Sequence, residues 1–160
     1  MCNGALAKNK NSRFKNEPPL RVAMTVVAVA FNKILVERFN QITGKVDIKN
    51  NAAVLDVEKQ ELTLGSQKQE SLKFKFDFRV DYEPKIATIQ LEGEVVWVDE
   101  KKNIDDALKG WKKDKKVKPE IMTPVLNAVL AKSNVEALIL AKEANLPPPV
   151  QLPKVEAKAE

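Results

Sequence analysis

Histidine is absent from this chain. That removes the commonest general base and the commonest metal ligand together. The single cysteine, Cys2, lies in a polar leader, so no disulfide closes within the chain and no thiolate cluster can hold a metal. Glycine is scarce, and no Gly-rich loop of the kind that cradles phosphate is present. The tight carboxylate pairs, Asp105-Asp106 and Glu92 with Glu94, fit a helix start and a strand's polar face. No acid/base constellation can be assembled, so neither an enzyme nor a cofactor is expected. No run approaches the ~20 apolar residues of a membrane-spanning helix, so no membrane insertion is expected. One free thiol fits a reducing, cytoplasmic setting.

What is present suits a folded body of ordinary size: 160 residues, 44% hydrophobic, net charge +5. Residues 1–21 are polar and basic and contain Pro18-Pro19; they read as a disordered leader. Val22 to Phe31 follows five basic residues, and Ala28-Val29-Ala30 has the form of a signal-peptidase site. This apolar run is short, β-branched and leucine-free, however, and reads as a buried strand.

The clearest pattern lies between Leu72 and Val98. Leu72, Phe74, Phe76, Phe78, Val80 and Tyr82 alternate with Lys73, Lys75, Asp77, Arg79 and Asp81. A period of two puts the large apolar side chains on one strand face and the charges on the other. Glu83-Pro84 ends this strand, because proline cannot donate to a ladder. A second alternation runs through Ala87, Ile89, Leu91, Gly93, Val95 and Trp97, which makes an antiparallel hairpin with one buried face. Gly93 marks a bulge or a close contact. Val22–Val36 and Lys45–Val57 are two further strands. A parity switch at Asn50-Asn51 predicts a bulge there. Glu58–Ser71 is polar and long, and is expected to carry the chain over the sheet edge.

Helical spacing follows. Ile104, Ala107, Leu108 and Trp111 share a face, with Asn103 as the expected cap. Gly110 and Lys112, Lys113, Lys115, Lys116 and Lys118 end or loosen this helix. Pro119 is placed to open a second helix, which runs to Asn145 and has wide apolar faces. One face is expected to cover the sheet and another to meet a second subunit. The expected class is therefore α+β: a four-stranded antiparallel sheet with C-terminal helices packed on one face. The expected divisions are a leader (1–21), one domain (22–149) and a Pro-containing charged tail (150–160).

Two short motifs sharpen this reading. Pro119-Glu120-Ile121-Met122-Thr123-Pro124 resembles the Pro-x-Ile-x-x-Pro segment that opens the main helix of SecB-type export chaperones. Leu146-Pro147-Pro148-Pro149-Val150-Gln151-Leu152-Pro153-Lys154-Val155 resembles the Pro-rich segment that follows it. In layout the resemblance covers residues 24 to 155, and it is nearest to archaeal-type SecB-like sequences. The resemblance implies a homo-oligomer, a dimer of dimers, that holds unfolded polypeptide without nucleotide. The grooves would be apolar and aromatic, between sheet and helix. The bacterial family is acidic and docks on its motor ATPase through acidic sheet residues; this chain is basic and shows no such patch.

The candidate peptide-binding residues are Phe74, Phe76, Phe78 and Tyr82 on the alternating strand, Trp97 and Trp111 at element ends, and Leu62 and Leu64 in the polar connection. For the aromatic row, core packing beneath the helices is the favoured reading, because apolar residues on one strand face are normally core. The expected function is an ATP-independent holdase for unfolded polypeptide clients, working as a dimer or tetramer. The alternative is a nucleic-acid or ribosome-associated module built on the basic leader and the Lys101–Lys118 segment.

Overall fold

A computed structural model of the chain describes residues 25–153. The expected basic leader and most of the charged tail lie outside the described residues. Four strands come first: β1 (Thr25–Arg38), β2 (Asp47–Leu64), β3 (Gln67–Glu83) and β4 (Ala87–Val98). Two helices follow, α1 (Lys101–Asp114) and α2 (Pro119–Glu143). The strands form one antiparallel sheet in the order β1-β4-β3-β2, with the helices on one face. The α+β architecture expected from the alternation is the one observed.

The register explains the core. Phe74, Phe76, Phe78 and Tyr82 pair across to Val95, Gly93, Leu91 and Ala87, and all of these face the helices. Leu72 through Tyr82 are fully buried at every second residue, and Ile89, Leu91 and Val95 answer them from β4. Burying each such side chain stabilises by about 1.5–3 kcal/mol. The opposite face of β3 and β4 is charged and laced by pairs such as Lys75–Glu58 at 2.7 Å.

The crossover is not where composition put it. Glu58–Leu64 and Gln67–Ser71 are strand, joined by a two-residue turn at Gly65-Ser66 with Gly65 at φ 66°. A positive φ is what a tight hairpin needs and glycine supplies. Both faces near this tip meet solvent, so the sequence there is polar and resembles a loop. The true crossover is 39–46, which carries the chain from β1 at one edge to β2 at the other. It is anchored where the Phe39 and Asn40 amides both donate to the Ile86 carbonyl, at 2.8 and 3.2 Å.

The bulge in β2 also moves. It falls between Val54 and Asp56, leaving Leu55 out of the ladder, and not at Asn50-Asn51. Ile48, Asn50, Ala52 and Val54 share the inward parity, and Val57 resumes it opposite Phe74 after one extra residue. A polar Asn50 and a small Ala52 conceal that parity in the sequence.

α1 begins at Lys101, two residues before the expected cap. Asp99, buried, organises this corner instead. It accepts from the Glu100 amide at 2.7 Å, from the Asn103 amide group at 2.9 Å and from the Trp97 indole at 3.3 Å. Pro119 opens α2 as expected. α2 buries Ile121, Val125, Val129, Ser133, Ala137 and Ala141, one every fourth residue. Contrary to expectation, it is long and apolar enough by length and composition to cross a membrane; here that stripe packs on the sheet.

Candidate polypeptide-binding surface

A helix that is apolar all round normally lies in a core. α2 has only one covered side. Its outward residues Val135 and Ile139 are 60% and 49% exposed. At the neighbouring edge strand, Ile34 is 50% exposed and Phe39, just beyond β1, is 56% exposed.

Two cross-contacts bring α2 alongside Ile34, whereas Phe39 lies beyond the strand end, beside Asp81, Lys85 and Thr88. The Lys132 ammonium donates to the Val29 carbonyl and lies 5.4 Å from the centre of the Phe31 ring. The Arg38 guanidinium donates to the Ala144 carbonyl at 3.2 Å. The last turns of α2 therefore run beside β1, with Ile34 in the interval between the two contacts. Val135 and Ile139 stand three and seven residues beyond Lys132, so they share its side of the helix. Ile34 pairs with fully buried Leu91, yet remains half exposed. The result is an apolar margin along the free edge of β1. Lys132 occupies one of that edge's carbonyl acceptors, a device that blunts open strand edges.

A second concave surface lies at the opposite edge. After α2, Asn145 turns at φ 53° and the chain runs as a strap. Tyr82 donates its hydroxyl to the Pro147 carbonyl at 2.8 Å, and Asn50 donates to the Pro149 carbonyl at 2.9 Å. Between the strap and the start of β2 is a cleft of about 1090 Å³, lined by Val46, Ile48, Asn50, Pro148, Val150 and Leu152. Burial of the Tyr82 ring pushes its phenol up to about 12.

The residues singled out from sequence fall into two groups. Phe74, Phe76, Phe78, Tyr82 and Trp97 are sealed beneath the helices, and Trp111 is nearly so. The ends of β4 and α1 are not surface positions here: Trp97 is bonded to Asp99, and the Trp111 indole donates to Asp56 at 3.2 Å. That bond, with one from the Val57 amide, holds the Asp56 carboxyl below the usual range, the amide being the larger cause. Leu62 is half-buried and Leu64 is 50% exposed, both at the β2–β3 hairpin tip and away from the margin. The sequence reading missed Ile34, Phe39, Val135 and the strap cleft. Their only sequence signals were an apolar first strand, the wide apolar faces of the second helix and a Pro-rich segment. Among the described residues no group of three or more metal-ligating side chains is gathered.

No family model matches the chain, and no curated protein matches it in sequence. Among solved structures it is similar to the Mycobacterium tuberculosis SecB-like chaperone Rv1957, solved in complex with a ChAD peptide from the HigA1 antitoxin. The two are 10% identical, with a TM-score of 0.52 over 82% of this chain and 89% of that one. At that identity the likeness concerns architecture: the chain has a SecB-like fold.

Proposed function

We propose that the protein is an ATP-independent holdase that binds non-native polypeptide along the β1–α2 margin. The observation that carries this reading is the exposed apolar strip of Ile34, Val135 and Ile139 on a fold shared with a peptide-bound SecB-like chaperone. Exposed apolar patches on a soluble fold commonly mark contact sites. Client side chains would bury on the margin, and the edge of β1 beyond the Val29 carbonyl that Lys132 occupies would offer backbone hydrogen bonds to an extended segment. The buried aromatic row supports this surface from beneath. Leu62 and Leu64 add apolar contact at the hairpin tip, and the strap cleft is sized for a few client side chains.

We infer further that the chain works as a homo-oligomer, a dimer or tetramer. Several margins facing one extended client raise apparent affinity through effective concentration. The test is light scattering of a chemically denatured client diluted into buffer without nucleotide. Suppression at near-stoichiometric protein, persisting at high salt, is expected. No suppression across several unrelated clients would overturn the reading.

A further inference from the structure

The lysines of the sheet, Lys68 at the hairpin tip excepted, are paired with carboxylates: Lys33 with Glu92, Lys49 with Glu83, Lys59 with Glu70, and Lys73 and Lys75 with Glu58. Those at the end of α1 are not. Among the described residues, Lys109, Lys112, Lys113, Lys116 and Lys118 are exposed and form no ion pair. Between Lys109 and Lys118 the chain carries six lysines against one acid, Asp114.

The backbone gathers these charges. Lys109, Lys112 and Lys113 are spaced i, i+3, i+4 on α1, so they share a face. Lys115 then turns at φ 56°, its amide returning to the Trp111 carbonyl, and its ammonium lies 5.1 Å from the centre of the Trp111 ring. The chain doubles back so closely that a Cβ on Gly110 would stand 2.8 Å from the Lys116 carbonyl oxygen. Lys116 and Lys118 thereby join the helical lysines at one corner. The negative end of the helix dipole accounts for a lysine or two in the last turn, and its effect does not extend along the connector beyond. Unpaired like charges at one corner repel one another, and a polyanion would relieve that.

We propose that this corner binds the phosphodiester backbone of a nucleic-acid strand without reading its bases. Lysines act as point charges, with no planar fork to fix a base edge. The Trp111 ring is buried and offers no stacking platform. A nucleic acid is favoured over an acidic peptide because its dense charge condenses counterions, whose release drives binding to a compact set of lysines.

The test is fluorescence anisotropy of a mixed-sequence 20-nucleotide RNA, and of the same sequence as DNA, against the full chain across a salt series. Both strands are expected to bind, with log affinity falling against log salt at a slope of about −3.5 for five phosphate contacts. The K112Q/K113Q/K116Q/K118Q variant should flatten that slope by about 2.8 and weaken binding at least tenfold at low salt. A charge-matched control, K45Q/K68Q/K85Q/K142Q, should keep most of the slope. Absence of binding at low salt, equal losses in both variants, or displacement of the RNA by poly-glutamate at equal charge would each overturn the proposal. Client aggregation is read separately, and the corner variant should suppress it as well as wild type.

Discussion

At Gly93 the sheet has no room for a side chain. A Cβ there would stand 2.1 Å from the Ala30 carbonyl oxygen and 2.8 Å from the Phe76 ring. The alternation of β4 predicted a bulge or a close contact, and the structure shows the contact, with the bulge on the facing strand between Phe31 and Lys33. Gly93→Val is expected to destabilise by about 3 kcal/mol or more, because backbone and a core ring must both shift. A large drop in urea midpoint checks this; a wild-type midpoint would contradict it. Ser133 is the converse case. Its hydroxyl is fully buried on α2 with no hydrogen-bond partner. Ser133→Ala should be neutral or stabilising by up to about 1 kcal/mol, since an unsatisfied group is removed at little change in volume. Tyr82 gives a pH-dependent test. Its phenol is pushed up to about 12 by burial. The unfolded chain therefore loses this proton near pH 10 while the fold retains it, and stability should fall as pH rises from about 10 to 12. In Tyr82→Phe that alkaline fall should shrink, and the lost bond to the Pro147 carbonyl should cost about 0.5–1.5 kcal/mol at neutral pH.

At the scale of elements, legibility followed the strength of the periodicity. β3 and β4 were readable because six large apolar residues repeat at period two without interruption. The β2–β3 hairpin was not, because its outer half projects past the helices and its residues meet solvent on both faces; only Gly65 betrayed the turn. The break in β2 was displaced because Asn50 faces inward to hold the Pro149 carbonyl, a tertiary bond no local pattern reveals. The tryptophans looked like surface candidates from their place at element ends. Buried Asp99 and the carboxylate of Asp56 receive their indoles and draw both rings inward. α2 was legible as a helix with more apolar surface than the sheet can cover. Which residues remain outside depends on where the helix lies relative to β1, and the contacts of Lys132 and Arg38 set that. Because Val135 and Ile139 pack on little, the V135D/I139D variant should fold with an unfolding midpoint close to wild type.

The whole molecule joins a sealed core to an exposed apolar margin. The aromatic row gives the sheet its buried core, and the outward apolar residues Val135 and Ile139 of α2 stay exposed. Assembly is the first consequence. Sedimentation velocity is expected to show a dimer or tetramer at micromolar concentration, and a strictly monomeric chain would remove the multivalent part of the proposal. Client binding is the second consequence and the central one. The most direct measurement is a titration of fluorescently labelled, permanently unfolded polypeptide with wild type and with V135D/I139D, without nucleotide and at high salt. The account predicts binding by wild type and a loss of at least tenfold in the variant, because two aspartates on the margin would have to be desolvated. Unchanged binding by a folded variant, or none by wild type, would contradict it.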